Sequence, residues 1–234
     1  MTLNNRSRFD LEEKHSYKNP ALRRVNAPDE ISKSFFNVMA YSKVVDAVAD
    51  LIGPNIKLHH TKINSKLPNS GTVVKWHQDF PFTPHTNDDL ITALIMIDNV
   101  TLENGPLEVW PGSHKQKLHS LWEKNILKAK VNNELAELAE TKKISCVGPA
   151  GSVCLMHTRL LHGSSRNLSS NSRTLFICVY SAEDAYPLTP SPVPNKSQGL
   201  VLRGIKTNTV RTKEFNLELP EFPKGNSFFE QQTK

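Results

Sequence analysis

The alternation of polar and apolar positions changes character twice along this chain. Residues 1–28 are polar, show no sustained hydrophobic repeat and contain Asn19-Pro20 and Ala27-Pro28, a composition that predicts an extended arm lying across a domain. Apolar residues then recur at helical spacing, first at Ile31, Phe35, Phe36 and Met39, and after Tyr41-Ser42 at Val44, Val45, Val48, Leu51 and Ile52. Two helices bracing the outer face of a sheet are expected. Ser42 is placed to cap the second and Gly53-Pro54 to stop it, glycine by taking a left-handed conformation and proline because it cannot continue a helix.

From residue 55 the period becomes that of strands separated by turns. The pattern predicts strands at 56–63, 72–76, 90–97, 107–110, 144–147, 152–157 and 173–181, then at 199–205 and 209–215 in the tail. The turns between them include 68–71, Asn104-Gly105-Pro106 and 111–114. Residues 90–97 are almost continuously apolar and predict a central strand buried on both faces. Short strands flanked by Gly and Pro turns suit a barrel or sandwich. Residues 115–142 interrupt this pattern. They are rich in Lys, Glu and Leu, and Leu118, Leu121, Trp122, Ile126, Leu127, Leu135 and Leu138 fall at or near helical spacing, so a helical insertion is expected, either a lid or a surface helix. The predicted organisation is a single domain: an arm with bracing helices (1–54), a β core (55–215) carrying the insertion, and a C-terminal tail (216–234).

Composition narrows the class. With 234 residues the chain can bury a substantial core, and 38% hydrophobic with 22% charged residues is ordinary for a globular protein. The net charge of +6 invites a nucleic-acid partner, but the lysines are scattered and interleaved with acids, without a basic run, so no nucleic acid is expected. Cys146, Cys154 and Cys178 lie in apolar, strand-like segments without metal-binding spacing, which predicts reduced, buried thiols. No stretch reaches the length of a membrane span, so a cytoplasmic monomer or homodimer without a membrane partner is expected.

The chemistry centres on Lys75-Trp76-His77-Gln78-Asp79-Phe80. Residues i and i+2 of a strand point the same way, so His77 and Asp79 are predicted to face one ion; a surface histidine and a turn aspartate satisfy the same short pattern. One more histidine completes the 2-His-1-carboxylate triad of non-haem Fe(II) oxygenases. His157 and His162 are the candidates, and His162 is preferred because Gly163 beside it permits close approach, while His157 reads as a strand-end histidine with a satisfied hydrogen bond. His59, His60, His85, His114 and His119 take the same plain reading. Arg173 opens an apolar strand, where a buried guanidinium needs a carboxylate: a dicarboxylate cosubstrate held in bidentate fashion, or a protein Asp or Glu. Lys66, Lys75 and Arg159 lie near the motif in sequence and read as solvated surface, with an anionic substrate as the alternative.

Taken together, Trp76-His77-Gln78-Asp79, the run from Asn104-Gly105-Pro106 to Gly112-Ser113-His114, and His162-Gly163-Ser164 followed by Arg173 resemble the phytanoyl-CoA dioxygenase family, which includes ectoine hydroxylases. The resemblance spans about residues 55–215. It implies a mainly β double-stranded β-helix, a jelly-roll, using Fe(II), 2-oxoglutarate and dioxygen to hydroxylate a C–H bond of a small molecule. Position by position, His77, Asp79 and His162 resemble the iron ligands, Arg173 the arginine that grips the distal carboxylate of 2-oxoglutarate, and Ser164 the hydroxyl residue that assists it. The segment from Gly105 to His114 resembles a structural signature. Asp79 implies hydroxylation over halogenation, because related halogenases lack the carboxylate. Two departures stand out: the chain lacks the segment that commonly opens family members, and aliphatic 90–97 offers no aromatic contact to 2-oxoglutarate, leaving its affinity to Arg173 and Ser164. The competing reading is a non-catalytic metal-binding or sensor jelly-roll.

Overall fold

A computed structural model describes residues 8–12, 15–69, 71–220 and 232. Residues 1–7 and 13–14 of the expected arm, Ser70 of the expected 68–71 turn and the expected tail beyond 220, apart from Gln232, lie outside the described residues.

The strands are β1 (Phe9–Leu11), β2 (Leu22–Asn26), β3 (Ile56–Lys66), β4 (Val74–His77), β5 (Leu90–Met96), β6 (Leu107–Val109), β7 (Trp122–Glu123), β8 (Ile126–Leu127), β9 (Ile144–Cys146), β10 (Val153–His157), β11 (His162–Ser164), β12 (Arg173–Ala182) and β13 (Val201–Arg203). The α-helices are α1 (Lys33–Tyr41), α2 (Lys43–Ile52) and α3 (Asn133–Lys142). A large antiparallel sheet runs β1-β2-β3-β12-β5-β10, with β13 also paired to β3, and a smaller one runs β4-β11-β6-β9. The two sheets form the jelly-roll.

The central strands alternate as their sequence requires. On one face of the large sheet Ile56, Leu58, Ile91, Ala93, Ile95, Phe176, Cys178 and Tyr180 pack on Met39, Ala40, Val45 and Val48 of α1 and α2. On the other face Leu94, Met96, Leu175 and Ile177 meet Leu107 of the small sheet and Met156. Every residue of β5 is therefore buried, which explains its unbroken apolar run. The Ser42 side chain accepts a hydrogen bond from Val44 N and caps α2. Gly53 ends that helix at φ 104°, ψ 166°, a positive-φ conformation open to glycine but outside the left-handed helical region predicted.

Three expectations are corrected. The N-terminal arm contributes β1 and β2 to the edge of the large sheet rather than lying unpaired across it. The 115–142 insertion is helical only in α3. Its middle is the β7–β8 hairpin, whose Lys124 and Asn125 adopt φ 49° and 62°, a two-residue turn that a helix cannot contain. Residues 209–215 form no strand; Phe215 and Leu217 instead pack on Phe80. Cys178 is buried, whereas Cys146 and Cys154 are only partly so; all three are free thiols. Among the described residues no helix is long and apolar enough to cross a membrane.

Candidate metal centre

β4 and β11 are antiparallel neighbours, and their register sets His77 directly opposite His162. The two imidazole centroids are 4.2 Å apart. Asp79 Oδ1 lies 3.5 Å from His77 Nε2 and 3.7 Å from His162 Nε2, and one ligand atom from each residue falls within 4.8 Å of the others. Strand alternation does not bring His77 and Asp79 together. β4 ends at His77, and Asp79 has left it for a helical conformation, φ −72°, ψ −34°, that opens the short 3₁₀ turn Phe80–Phe82. Phe80 N donates to Thr158 O at 2.9 Å, tying this turn to the chain just beyond β10.

Both histidines are oriented for ligation. His77 Nδ1 lies 2.8 Å from Lys75 O and His162 Nδ1 2.9 Å from Leu160 O. A carbonyl only accepts, so each Nδ1 carries the proton and each Nε2 turns its lone pair toward Asp79. Burial, with His77 adding to it, pushes His162 down to about 4, leaving it neutral and able to ligate at pH 7. Burial opposes ionisation of Asp79, but the closeness of His162 and His77 and the charge of Lys62 outweigh it and hold the carboxyl below the usual carboxylate range. Two neutral imidazoles and one carboxylate converging from one side fit a divalent non-haem iron site with coordination positions left open.

Gly163 keeps this register tight. A Cβ there would sit 2.9 Å from Val74 O, a backbone atom that cannot swing aside. Gly163→Ala is expected to force β11 off β4, lowering stability by about 1–3 kcal/mol. Urea unfolding measures this, and metal affinity should fall with it because His162 moves.

The trio borders a cavity of about 350 Å³ whose far end holds Arg173, Lys66 and Ser164. Arg173 is 4% exposed, and its Nε donates to Gly105 O at 3.0 Å. Burial lowers it to about 10, with Asp98 acting against the shift. Lys66, also 4% exposed, donates to Ser165 O and is pushed down to about 6 by burial and by Arg173. Among the described residues neither group has a carboxylate at ion-pair distance; Asp98 acts on Arg173 from farther off. A buried guanidinium with a buried amine beside it calls for an anion.

The sequence places Lys66 at the solvated surface, with an anionic substrate as the alternative, and gives Gly105 no role at the site. The signal for Lys66 was present: His60, Lys62, Asn64 and Lys66 occupy alternate positions of β3 and all line the cavity, a polar face turned inward. Gly105 was read as structural only. It adopts φ 78°, where a Cβ would meet Ser165 O at 2.7 Å, and its carbonyl anchors Arg173.

The remaining candidates separate from the site. His157 points away from the cavity that its neighbours Met156 and Thr158 line; its Nδ1 accepts from Arg159 N at 3.1 Å and its ring approaches His114 at 5.5 Å. His162→Ala should abolish metal binding and His157→Ala should largely spare it; equilibrium dialysis of both variants tests the assignment. Arg159 pairs with Asp88 at 2.6 Å, and exposed Lys75 donates to Gln232 O at 2.7 Å. None of the described cavity-lining residues comes from 115–142. Leu121, Leu127, Leu135 and Ala139 instead pack against Trp76, whose Nε1 donates to Glu140 at 2.7 Å, so the insertion backs the small sheet and does not lie over the cavity.

The sequence profile of the phytanoyl-CoA dioxygenase (PhyH) family matches residues 4–175. A probable alpha-ketoglutarate-dependent hypophosphite dioxygenase of Stutzerimonas stutzeri is 34% identical over 233 residues, covering 96% of this chain and 80% of that protein. An L-proline trans-4-hydroxylase of Streptomyces griseoviridis is 28% identical over 195 residues, covering 74% of this chain and 72% of that protein. Among solved structures, EctD from S. alaskensis with bound Fe superposes with a TM-score of 0.69 at 20% identity, covering 88% of this chain and 73% of that one, a likeness of fold.

Proposed function

The chain belongs to the phytanoyl-CoA dioxygenase family, and from that premise we propose that it is an Fe(II)- and 2-oxoglutarate-dependent dioxygenase hydroxylating a small molecule. The observation that carries this reading is one cavity with a His77–Asp79–His162 trio at one place and, at another, Arg173 and Lys66 without a carboxylate at ion-pair distance among the described residues.

His77, Asp79 and His162 would hold the metal, the histidines through Nε2 and Asp79 through a carboxylate oxygen. Bound there, Fe(II) supplies the redox chemistry that couples oxidative decarboxylation of 2-oxoglutarate to hydroxylation of the substrate. One atom of dioxygen enters the substrate's hydroxyl and the other enters succinate, with CO2 released. Arg173 grips the distal carboxylate, its guanidinium fixed by Gly105 O, while Ser164 offers a hydroxyl from the same wall. Lys66 adds a second cation to that grip, regaining its proton as the dicarboxylate enters. Thr92 Oγ1, 3.3 Å from Asp79 Oδ2, donates to the carboxylate and fixes its rotation, which decides the oxygen presented to the metal. Leu94, Leu107, Met156, Leu175 and Ile177 line the cavity with apolar surface and limit its water.

The substrate is small. A volume of about 350 Å³ lies near the lower end of ordinary ligand sites, roughly 300–1,000 Å³, and must be shared with the cosubstrate. The relatives named for hypophosphite and L-proline are both named for small polar molecules, one an anion and the other a zwitterion, so their names alone do not choose the charge. Oxygen uptake with succinate release should require Fe(II) and 2-oxoglutarate together. Release of succinate without added 2-oxoglutarate, or none with both present, contradicts the reading.

A further inference from the structure

One group of side chains in the cavity is used neither by the metal trio nor by the Arg173 end. From it we infer that the substrate carries an anionic head, a phosphonate, phosphinate or carboxylate, seated on Lys62 with His60 beside it. The inference rests on the Fe(II)/2-oxoglutarate reading for what fills the rest of the cavity, and adds the substrate class and the residue that selects it.

The sheet register separates the two anion sites. Arg173 pairs with Lys66, Ile177 with Lys62, and Val179 with His60. Lys62 thus lies four residues from Lys66 along β3, about 13 Å at strand rise. The row through His60 and Val179 continues to Thr92, the residue that touches Asp79, and then to Met156, with Thr158 two residues on. Lys62 and His60 therefore sit on the metal side of the cavity, away from the Arg173 clamp.

The groups in this region are unsatisfied. Lys62 is half-buried on the cavity wall and has no hydrogen-bond or ion-pair partner among the described residues. The acids that line the cavity are committed: Asp10 pairs with Arg24 at 3.7 Å, and Asp79 belongs to the metal trio. Arg24, which lines the same cavity, is also held by Asn64 Oδ1 at 3.0 Å, so it adds positive potential without vacating its own partners. His60 Nε2 and Thr158 Oγ1 are both buried without a hydrogen-bond partner, although both residues line the cavity. His60 Nδ1 faces His59 Nδ1 at 2.6 Å, so one proton serves that contact. When His59 donates it, His60 carries its own proton on Nε2 and becomes a donor to an anion. An unpaired lysine and, two residues away on the same strand face, a buried imidazole nitrogen without a partner cost stability unless a ligand satisfies them, and one anion can meet both. An uncharged substrate would leave Lys62 without a counter-charge.

The test uses full-length protein saturated with redox-inert Zn(II) and 2-oxoglutarate, so that the Arg173 end is filled before any probe is added. Hypophosphite, methylphosphonate and acetate are titrated separately by calorimetry, with acetamide as the uncharged probe. At least one anion should bind where acetamide does not, and the ranking of phosphorus and carbon acids identifies the head group. Lys62→Met should weaken anion binding about tenfold or more while 2-oxoglutarate affinity stays within about twofold, and Lys62→Arg should retain most of the binding. The inference is overturned if no anion binds the loaded wild-type protein, if acetamide binds as well, or if Lys62→Met leaves anion affinity unchanged or lowers 2-oxoglutarate affinity instead. Failure of Zn(II) or 2-oxoglutarate to load at the outset counts against the parent reading, and is seen before any probe is added.

Discussion

Asp79→Ala removes Fe(II) binding and brings succinate production to background while the protein remains folded. The carboxylate is the only anionic ligand of the trio, held within 3.5 Å of His77 Nε2 and 3.7 Å of His162 Nε2. Without it the two imidazoles cannot offset the ion's charge or close the third side of the site. The fold should tolerate the change. Asp79 reaches its position through a turn anchored by backbone hydrogen bonds from Phe80 and Phe82, and among the described residues its side chain meets the two histidines and Thr92. Stability should shift by about 1 kcal/mol or less, because a buried carboxylate's desolvation cost is lost along with its contacts. Metal retained at wild-type stoichiometry with turnover intact would mean that the ligand set is wrong.

Arg173→Leu raises the KM for 2-oxoglutarate while leaving Fe(II) affinity unchanged. Truncating one member of a buried, hydrogen-bonded charge pair costs about 2–5 kcal/mol, which corresponds to roughly 30- to 3,000-fold in affinity. Two features temper the loss. Lys66 stays at the same end of the cavity, and removing Arg173 takes away a neighbouring charge that depresses its protonation. Lys66→Met should therefore cost less than Arg173→Leu, and the double variant more than either. Turnover at saturating 2-oxoglutarate should recover substantially in the single variants, since the metal ligands lie at the other end of the site. KM values for the cosubstrate, measured by succinate release, distinguish these outcomes; an unchanged value in Arg173→Leu would place the dicarboxylate elsewhere.

The features legible in the sequence are those in which one physical demand dominates. β5 and β12 are buried on both sides and read as continuous apolar runs, and α2 carries its cap and stop residues in plain sight. The His77–Asp79 pair was legible for a reason the structure revises, since a turn after β4 and not strand alternation brings the two side chains together. Opposite them, His162 was legible through Gly163, although that glycine serves the approach of β11 to Val74 O.

Illegible features are those where tertiary context overrides a local rule. Asp10, Arg24 and Asn26 of β1 and β2 face the charged wall of the cavity, and these polar positions break up the usual strand signal. Lys66 reads as a surface lysine by default, because a long charged side chain ordinarily reaches water; here its head is turned inward beside Arg173. In 115–142 the spacing of leucines suggested helix throughout, but Lys124-Asn125 supplies a hairpin turn that outweighs that spacing.

The central claim is that Fe(II) at His77, Asp79 and His162 and 2-oxoglutarate on Arg173 occupy one cavity together. Anaerobic titration of 2-oxoglutarate into the Fe(II)-loaded protein tests it most directly, read by visible absorption. A weak charge-transfer band that grows to one equivalent of 2-oxoglutarate, and is absent in Asp79→Ala, is the predicted result. Fe(II)-loaded wild-type protein that gives no band at any 2-oxoglutarate concentration would contradict the account.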